Sequence, residues 1–137
     1  MMIISSKGAY GIAALFELAQ NAKNDFMQIK DIAEKQGIPQ NYLEQLLVIL
    51  KKAGFVESLR GAEGGYRLAK HPSRIKVSDI LNCLEGPPKL VNIYGRSEVL
   101  KNYWQSLPSK IEQIFSKTLE ELVLDEQKIN QQLTYFI

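Results

Sequence analysis

Residues 38–69 constrain the fold of this chain more than any other segment. They contain leucines at the i, i+3, i+4, i+7 spacing that defines one face of a helix. These leucines are Leu43, Leu46, Leu47 and Leu50. Pro39 suits the first turn of such a helix, and Gly54 suits a left-handed residue at its end. The pattern predicts an amphipathic helix whose leucine face is buried.

A small β-hairpin is predicted directly after this helix. Alternating residues at 55–60 and 66–69 are typical of two short strands, and the loop at 61–65 contains three glycines that can take positive φ. A shorter helix, with Ile29, Ile32 and Ala33 facing inward, precedes the leucine helix and ends at Gly37. Helix, glycine turn, helix and hairpin predict a mainly α fold with a small β-hairpin, a winged helix-turn-helix.

The polar face of the leucine helix carries side chains suited to reading DNA bases. Asn41 and Gln45 can each form two hydrogen bonds with adenine, and Glu44 can accept one from the amino group of cytosine. All three lie in the first two turns, the part of a recognition helix that reaches base edges. Arg60, at the base of the hairpin loop, is placed to enter a narrow minor groove. The alternative is a solvated face on which Glu44 pairs with Lys51 or with another exposed neighbour.

Charge is distributed in agreement with this interpretation. The chain has 137 residues, 45% of them hydrophobic, and a net charge of +2. Residues 1–76 carry 11 lysines and arginines against 7 carboxylates, whereas residues 77–137 carry 6 against 8. The half that contains the helix and hairpin is therefore the basic one, as phosphate binding requires.

The remainder of the chain is predicted to be helical. Ser5 or Ser6 is placed to cap a first helix, and a fourth helix ends at Gly86. A longer helical stretch follows at 97–117, where Pro108 predicts a kink or a restart. The sequence at 118–121 is typical of a capping box that opens a short final helix.

Several function classes are disfavoured by composition. The longest aliphatic run, residues 46–50, is too short to cross a bilayer, and no export segment is recognisable, so a cytoplasmic protein is expected. Cys83 is the only cysteine and His71 the only histidine. We therefore expect no metal site, no cofactor and no catalytic nucleophile with its base, and hence no enzyme.

The chain resembles the Rrf family of winged-helix bacterial transcription regulators. The resemblance covers nearly the whole chain in order, in the segments 5–11, 29–34, 42–46, 60–66, 79–86 and 118–122. It implies DNA contacts in a homodimer in which the long helix after Gly86 pairs with its copy. It implies that Tyr42, Glu44, Gln45 and Arg60 contact DNA, with Lys7 and Tyr10 near its backbone. Together with Gln40 and Asn41 at the start of the leucine helix, these are the expected DNA-binding residues. The expected dimerisation residues are Trp104, Ile111, Ile114 and Phe115. Residues 1–76 are accordingly the expected DNA-binding region, and 77–137 the dimerisation and tail region.

Two departures from the family pattern refine this expectation. Ala9 stands where the family usually has a basic residue, which weakens a phosphate contact there. Iron–sulfur members carry three cysteines between the fourth helix and the dimer helix, and residues 86–104 contain none. The chain thus resembles the cluster-free, CymR-like branch, which implies a repressor of cysteine or sulfur metabolism with cysteine synthase as a partner.

The C-terminal tail offers a candidate surface for such a partner. Tyr135, Phe136 and Ile137 form an aromatic tail ending in isoleucine, suited to a partner's groove. Packing onto the protein's own dimer is the alternative. Two other classes stay open: a regulator of other genes that responds to a ligand or to oxidation of Cys83, and a winged-helix interaction module that does not bind DNA.

Overall fold

The computed structural model describes residues 4–21, 25–88 and 95–136, without the side chain of Phe136. Six helices and one hairpin cover most of these residues. In chain order they are α1 (Ser6–Gln20), α2 (Ile29–Gln36), α3 (Gln40–Lys52), β1 (Val56–Leu59), β2 (Gly65–Leu68), α4 (Val77–Glu85), α5 (Glu98–Ile114) and α6 (Leu119–Phe136). The predicted mainly α fold with one hairpin is confirmed.

Helices α2 and α3 form the helix-turn-helix. Gly37 ends α2 in the left-handed conformation, with a φ of 64°. Pro39 was expected in the first turn of α3. It is the N-cap residue, one position before that turn. The four leucines of α3 are each at most 1% exposed. The predicted leucine face is therefore buried, and α3 is held rigidly against α1 and α2.

The hairpin is an antiparallel pair in which Val56 faces Leu68 and Leu59 faces Gly65. A third segment joins it, because Met27 and Tyr66 exchange backbone hydrogen bonds of 2.8 Å in both directions. Gly65 allows this approach: its φ is +140°, and a Cβ atom there would lie 2.2 Å from the carbonyl oxygen of Met27. The hairpin, hereafter the wing, is thus attached to the segment that leads into α2.

One hydrophobic core unites elements from both predicted regions. Leu15, Ile32 and Leu47 come from the first three helices, whereas Ile80 and Leu119 come from α4 and α6. The core therefore continues across the boundary between residues 76 and 77. The predicted DNA-binding region and the predicted dimerisation region therefore share one packed core.

The junction between α5 and α6 is tied to the chain just before α4. Val77 and Ser78 donate backbone hydrogen bonds to Lys117 and Phe115, of 2.8 and 2.7 Å. Leu119 donates in return to Ile75, at 2.9 Å. We call residues 115–119 together with 75–78 the corner. Helix α5 contributes no buried residue of its own and so extends from this corner as an arm.

Two expectations about helix ends are wrong. The final helix is not short: α6 spans 18 residues, because no glycine or proline interrupts the sequence after Thr118. Ser5 occupies the N-cap position of α1, but its side chain does not cap the helix. Its hydroxyl donates instead to Glu85 of α4, at 2.5 Å.

Pro108 lies inside α5, which continues through it as one helix from Glu98 to Ile114. The expected restart is therefore not found. Within the three described ranges, no helix combines the length and apolar character needed to cross a membrane.

Candidate nucleic-acid interface

The solvent-facing side of α3 forms the centre of the candidate interface. Gln40, Asn41, Glu44 and Gln45 are all exposed. Val48 continues the same face and is 49% exposed. Because the opposite face is anchored by buried leucines, this polar surface is presented outward on a rigid element. Its donors and acceptors can therefore meet base edges without rearrangement of the helix.

Tyr42 lies apart from this face and links α3 to α1. Its ring makes an edge-on contact with Tyr10, with centroids 5.7 Å apart and planes at 72°. Both rings are half-buried against the core. Lys7 is one turn before Tyr10 on α1 and is also half-buried. The structure thus brings the start of α1 next to α3 through the two tyrosines.

The wing adjoins the C-terminal end of α3. Lys51 donates a hydrogen bond from Nζ to Oγ of Ser58 in β1, at 2.6 Å. Among the described residues no ion pair joins Lys51 to Glu44, the alternative that the sequence left open. Arg60 is exposed where β1 ends and the wing loop begins. Recognition helix and wing are therefore adjacent parts of one surface.

Sequence reasoning missed the contacts that hold the wing from behind. Arg67 of β2 pairs with Glu57 on β1, lies 3.1 Å from Asp25, and places its guanidinium 4.3 Å from the centroid of Phe26. The hydrogen bond to Glu57 raises the pKa of Arg67. Strand alternation pairs Glu57 with Arg67 and could have revealed this link. The contacts of residues 25 and 26 have no such signal.

The predicted dimerisation residues lie on or just after the α5 arm. Ile114 is 75% exposed, whereas Trp104, Ile111 and Phe115 are half-buried. Phe115 belongs to the corner, through its carbonyl. Further apolar side chains on α5 face solvent: Val99, Leu100 and Tyr103.

The predicted partner-binding tail is only partly described. Tyr135 is 85% exposed at the end of α6. The side chain of Phe136 and all of Ile137 lie outside the described residues.

An exposed recognition helix, a tyrosine-linked first helix and an adjoining wing define the winged helix-turn-helix class of regulators. The chain belongs to the Rrf2 family: the family model described as an iron-dependent transcriptional regulator matches residues 4–125. The resemblance inferred from the sequence segments is thereby confirmed.

Curated and solved relatives agree with this membership. The transcriptional regulator CymR of Bacillus subtilis is 38% identical over 123 residues, which cover 88% of this chain and 89% of CymR. The solved structure of that CymR has a TM-score of 0.80 at 38% identity, covering 90% of this chain and 97% of the other. The structure of T. potens IscR has a TM-score of 0.77 at 42% identity, covering 92% and 89%.

The residues of this chain do not fit an iron–sulfur centre, although the family description is iron-dependent. Such clusters are held mainly by cysteine thiolates, and the sequence contains one cysteine. Burial raises the pKa of the Cys83 thiol despite the nearby charge of Lys7, which disfavours the thiolate that a metal requires. His71 accepts a hydrogen bond from the backbone of Ser73 through Nδ1. Within the described part of the chain, no three potential ligands converge.

Proposed function

We propose that this protein is a sequence-specific DNA-binding transcription regulator that acts as a homodimer and, as the family resemblance implies, as a repressor. The observation that carries this proposal is the row of exposed donors and acceptors on α3, opposite a fully buried leucine face. Residues 1–76 form the DNA-binding region in this proposal, and residues 77–137 supply the dimer contacts and the tail.

In the proposed complex, α3 enters the major groove. Asn41, Glu44 and Gln45 read base edges there, with Gln40 beside them at the start of the helix. Arg60 carries the wing into the adjacent minor groove, where a narrow A·T-rich groove attracts a guanidinium. Lys7, Tyr10 and Tyr42 contact the phosphate backbone, which fixes the register of α3 but reads no sequence. These last contacts rest on the family resemblance and on the proximity of α1 to α3.

The first experiment is selection of genomic fragments by the full-length protein at moderate salt, followed by sequencing. Enrichment of a two-fold symmetric site supports a dimeric DNA reader, because operator symmetry mirrors protein symmetry. Absence of any enriched sequence contradicts the proposal and favours a winged-helix interaction module instead.

Glu44→Ala tests base reading on the selected site. Removing a side chain that discriminates one base pair is expected to relax specificity at that position by about 1–3 kcal/mol. Competition among duplexes that differ at single positions measures this. Glu34→Ala, on the exposed side of α2, is the matched control and should leave every ratio unchanged. A uniform loss for all duplexes with Glu44→Ala would count against base reading.

Lys7→Ala tests whether Lys7 contacts the phosphate backbone or the bases. A phosphate contact should weaken binding to all sequences similarly and reduce the salt dependence of the affinity by about one counterion. A change confined to one base position would assign Lys7 to sequence reading.

Control of cysteine metabolism is the finer form of the proposal. The B. subtilis relative is described as the global cysteine regulator of that organism. Recovery of sites beside cysteine or sulfur genes supports the same role here. Cysteine synthase is the proposed partner, with Tyr135, Phe136 and Ile137 as its docking segment. Removal of residues 134–137 should abolish capture of cysteine synthase, and unchanged capture would exclude this docking mode.

A further inference from the structure

A short segment before α2 contacts both β2 and the loop of the wing. Asp25 and Phe26 contact the guanidinium of Arg67 on β2, which lies between β1 and this segment. Met27 pairs with Tyr66 through two backbone hydrogen bonds. Gln28 reaches furthest, since its Nε2 donates to the carbonyl oxygen of Ala62 at 2.9 Å. The segment 25–28 therefore holds β2 with its first three residues and the wing loop with its last.

Gln28 combines a position at the start of a helix with a contact to a distant residue. It is the N-cap residue of α2, a position where side chains commonly accept from the first free N–H groups of the helix. Its side chain makes no such bond. The amide is instead directed at a residue 34 positions away, in the loop that begins with Arg60. One residue thus begins the first helix of the helix-turn-helix and touches the wing tip.

The first part of the loop, residues 61–63, is exposed to solvent, whereas Gly64 is buried. Beside the Gln28–Ala62 hydrogen bond lies a cleft of about 440 Å³, lined in part by Gln28, Lys35, Glu63 and Gly64. Ala62 and Glu63 are themselves exposed. The loop is closed by the backbone hydrogen bond from Gly64 to Gly61, and the hydrogen bond from Gln28 to Ala62 ties it to the segment before α2. The start of β2, directly after the loop, is fixed independently through the backbone hydrogen bonds between Met27 and Tyr66.

We propose that Gln28 is a positioning residue for minor-groove recognition. Its hydrogen bond to Ala62 fixes the position of the wing loop relative to α2. This places Arg60 at the minor groove next to the bases that α3 reads. The inference rests on the proposed DNA-binding function. The preference for A·T over G·C pairs beside the core site then depends on Gln28, which does not itself contact DNA in this proposal.

The test uses the full-length protein and two duplexes with the same selected core. One has A·T pairs and the other G·C pairs where the wing meets the minor groove. Wild type should prefer the A·T flanks. Gln28→Met, which keeps the length of the side chain but lacks the donor, should reduce this preference by about two- to fivefold, the usual net effect of one hydrogen bond. Gln20→Met, at an exposed glutamine of α1, is the matched control and should keep the wild-type ratio.

A double substitution separates positioning from a general loss of stability. In the Arg60→Ala background, Gln28→Met should change the flank preference no further, because both substitutions act through the same wing. Independent, multiplying effects would overturn the inference. Discrimination at the base pair read by Glu44 should be unaltered by Gln28→Met. If Gln28→Met fails to fold, Gln28→Asn replaces it, since its shorter amide does not reach Ala62; a wild-type ratio with that variant would also overturn the inference.

Failure of the proposed function gives a different result. In that case wild type selects no site at all. A wild type that binds its core site but ignores the flanks overturns only the role of Gln28.

Discussion

At the scale of single residues, Glu85 shows how one side chain joins two distant parts of the chain. Its carboxylate accepts from the hydroxyl and the backbone N–H of Ser5, at 2.5 and 2.8 Å, and from the N–H of Gly8 at 3.0 Å. Glu85 thus performs the capping that Ser5 was expected to perform. The end of α4 thereby fixes the start of α1, where Lys7 lies.

This arrangement predicts a dependence of stability on pH. The hydrogen bonds, that of the Ser5 hydroxyl foremost, lower the pKa of the Glu85 carboxyl below its usual range. Their stabilisation is fully present above the unfolded-state pKa of about 4.3 and is lost as the pH falls through the lower folded-state pKa. The free energy of unfolding should therefore decrease as the pH falls below the unfolded-state pKa of about 4.3. Denaturant titration at several pH values measures it.

Glu85→Gln should lower stability at pH 7 and flatten this dependence, because the variant cannot lose a charge. Glu112→Gln, at an exposed position of α5, should leave the curve close to that of wild type. Parallel curves for wild type and Glu85→Gln would show that the acid dependence arises elsewhere.

At the scale of elements, α5 is destabilised by a proline in its interior, Pro108. Pro108 has no N–H to donate to the carbonyl of Trp104 and costs helix interiors about 3 kcal/mol. Since α5 buries none of its residues within the chain, Pro108→Ala should increase helicity and the free energy of unfolding by about 1–3 kcal/mol. Circular dichroism and denaturant titration at fixed protein concentration test this. Lys110→Ala is the control, because it exchanges one good helix former for another at an exposed position close to Pro108. Equal stability of Pro108→Ala and wild type would contradict the prediction.

The elements also show which parts of the fold a sequence can reveal. Leucine spacing and Gly37 were sufficient for α3 and the turn before it, because helix periodicity and left-handed glycines are local signals. The length of α6 was underestimated although the sequence after Thr118 contains no stop signal. The contacts of Ser5 with Glu85 and of Gln28 with Ala62 could not be predicted. They span 80 and 34 positions, and only the folded backbone brings the partners together.

At the scale of the whole molecule, the exposed apolar side chains of α5 predict self-association. Val99 and Ile114 are 76% and 75% exposed, and Tyr103 is 54% exposed. Ile114→Glu places a charge in the proposed interface and should weaken the dimer by about 100-fold or more, since an unpaired buried charge costs several kcal/mol. Sedimentation equilibrium measures the dissociation constant. Gln105→Glu adds the same charge on the opposite face of α5 and should leave it unchanged; dissociation by both variants or by neither would argue against this interface.

The corner gives such a dimer a geometric signature on DNA. Backbone hydrogen bonds join residues 115–119 to 75–78, and Leu119 packs in the same core as Leu47 of α3. A change in the angle between the arm and its copy is therefore expected to change the angle between the two α3 helices. Each added base pair between two half-sites moves one of them by about 3.4 Å and turns it by about 35°. The spacer length that gives the highest affinity therefore depends on the angle between the two arms. Binding measured over a series of spacer lengths would report this angle.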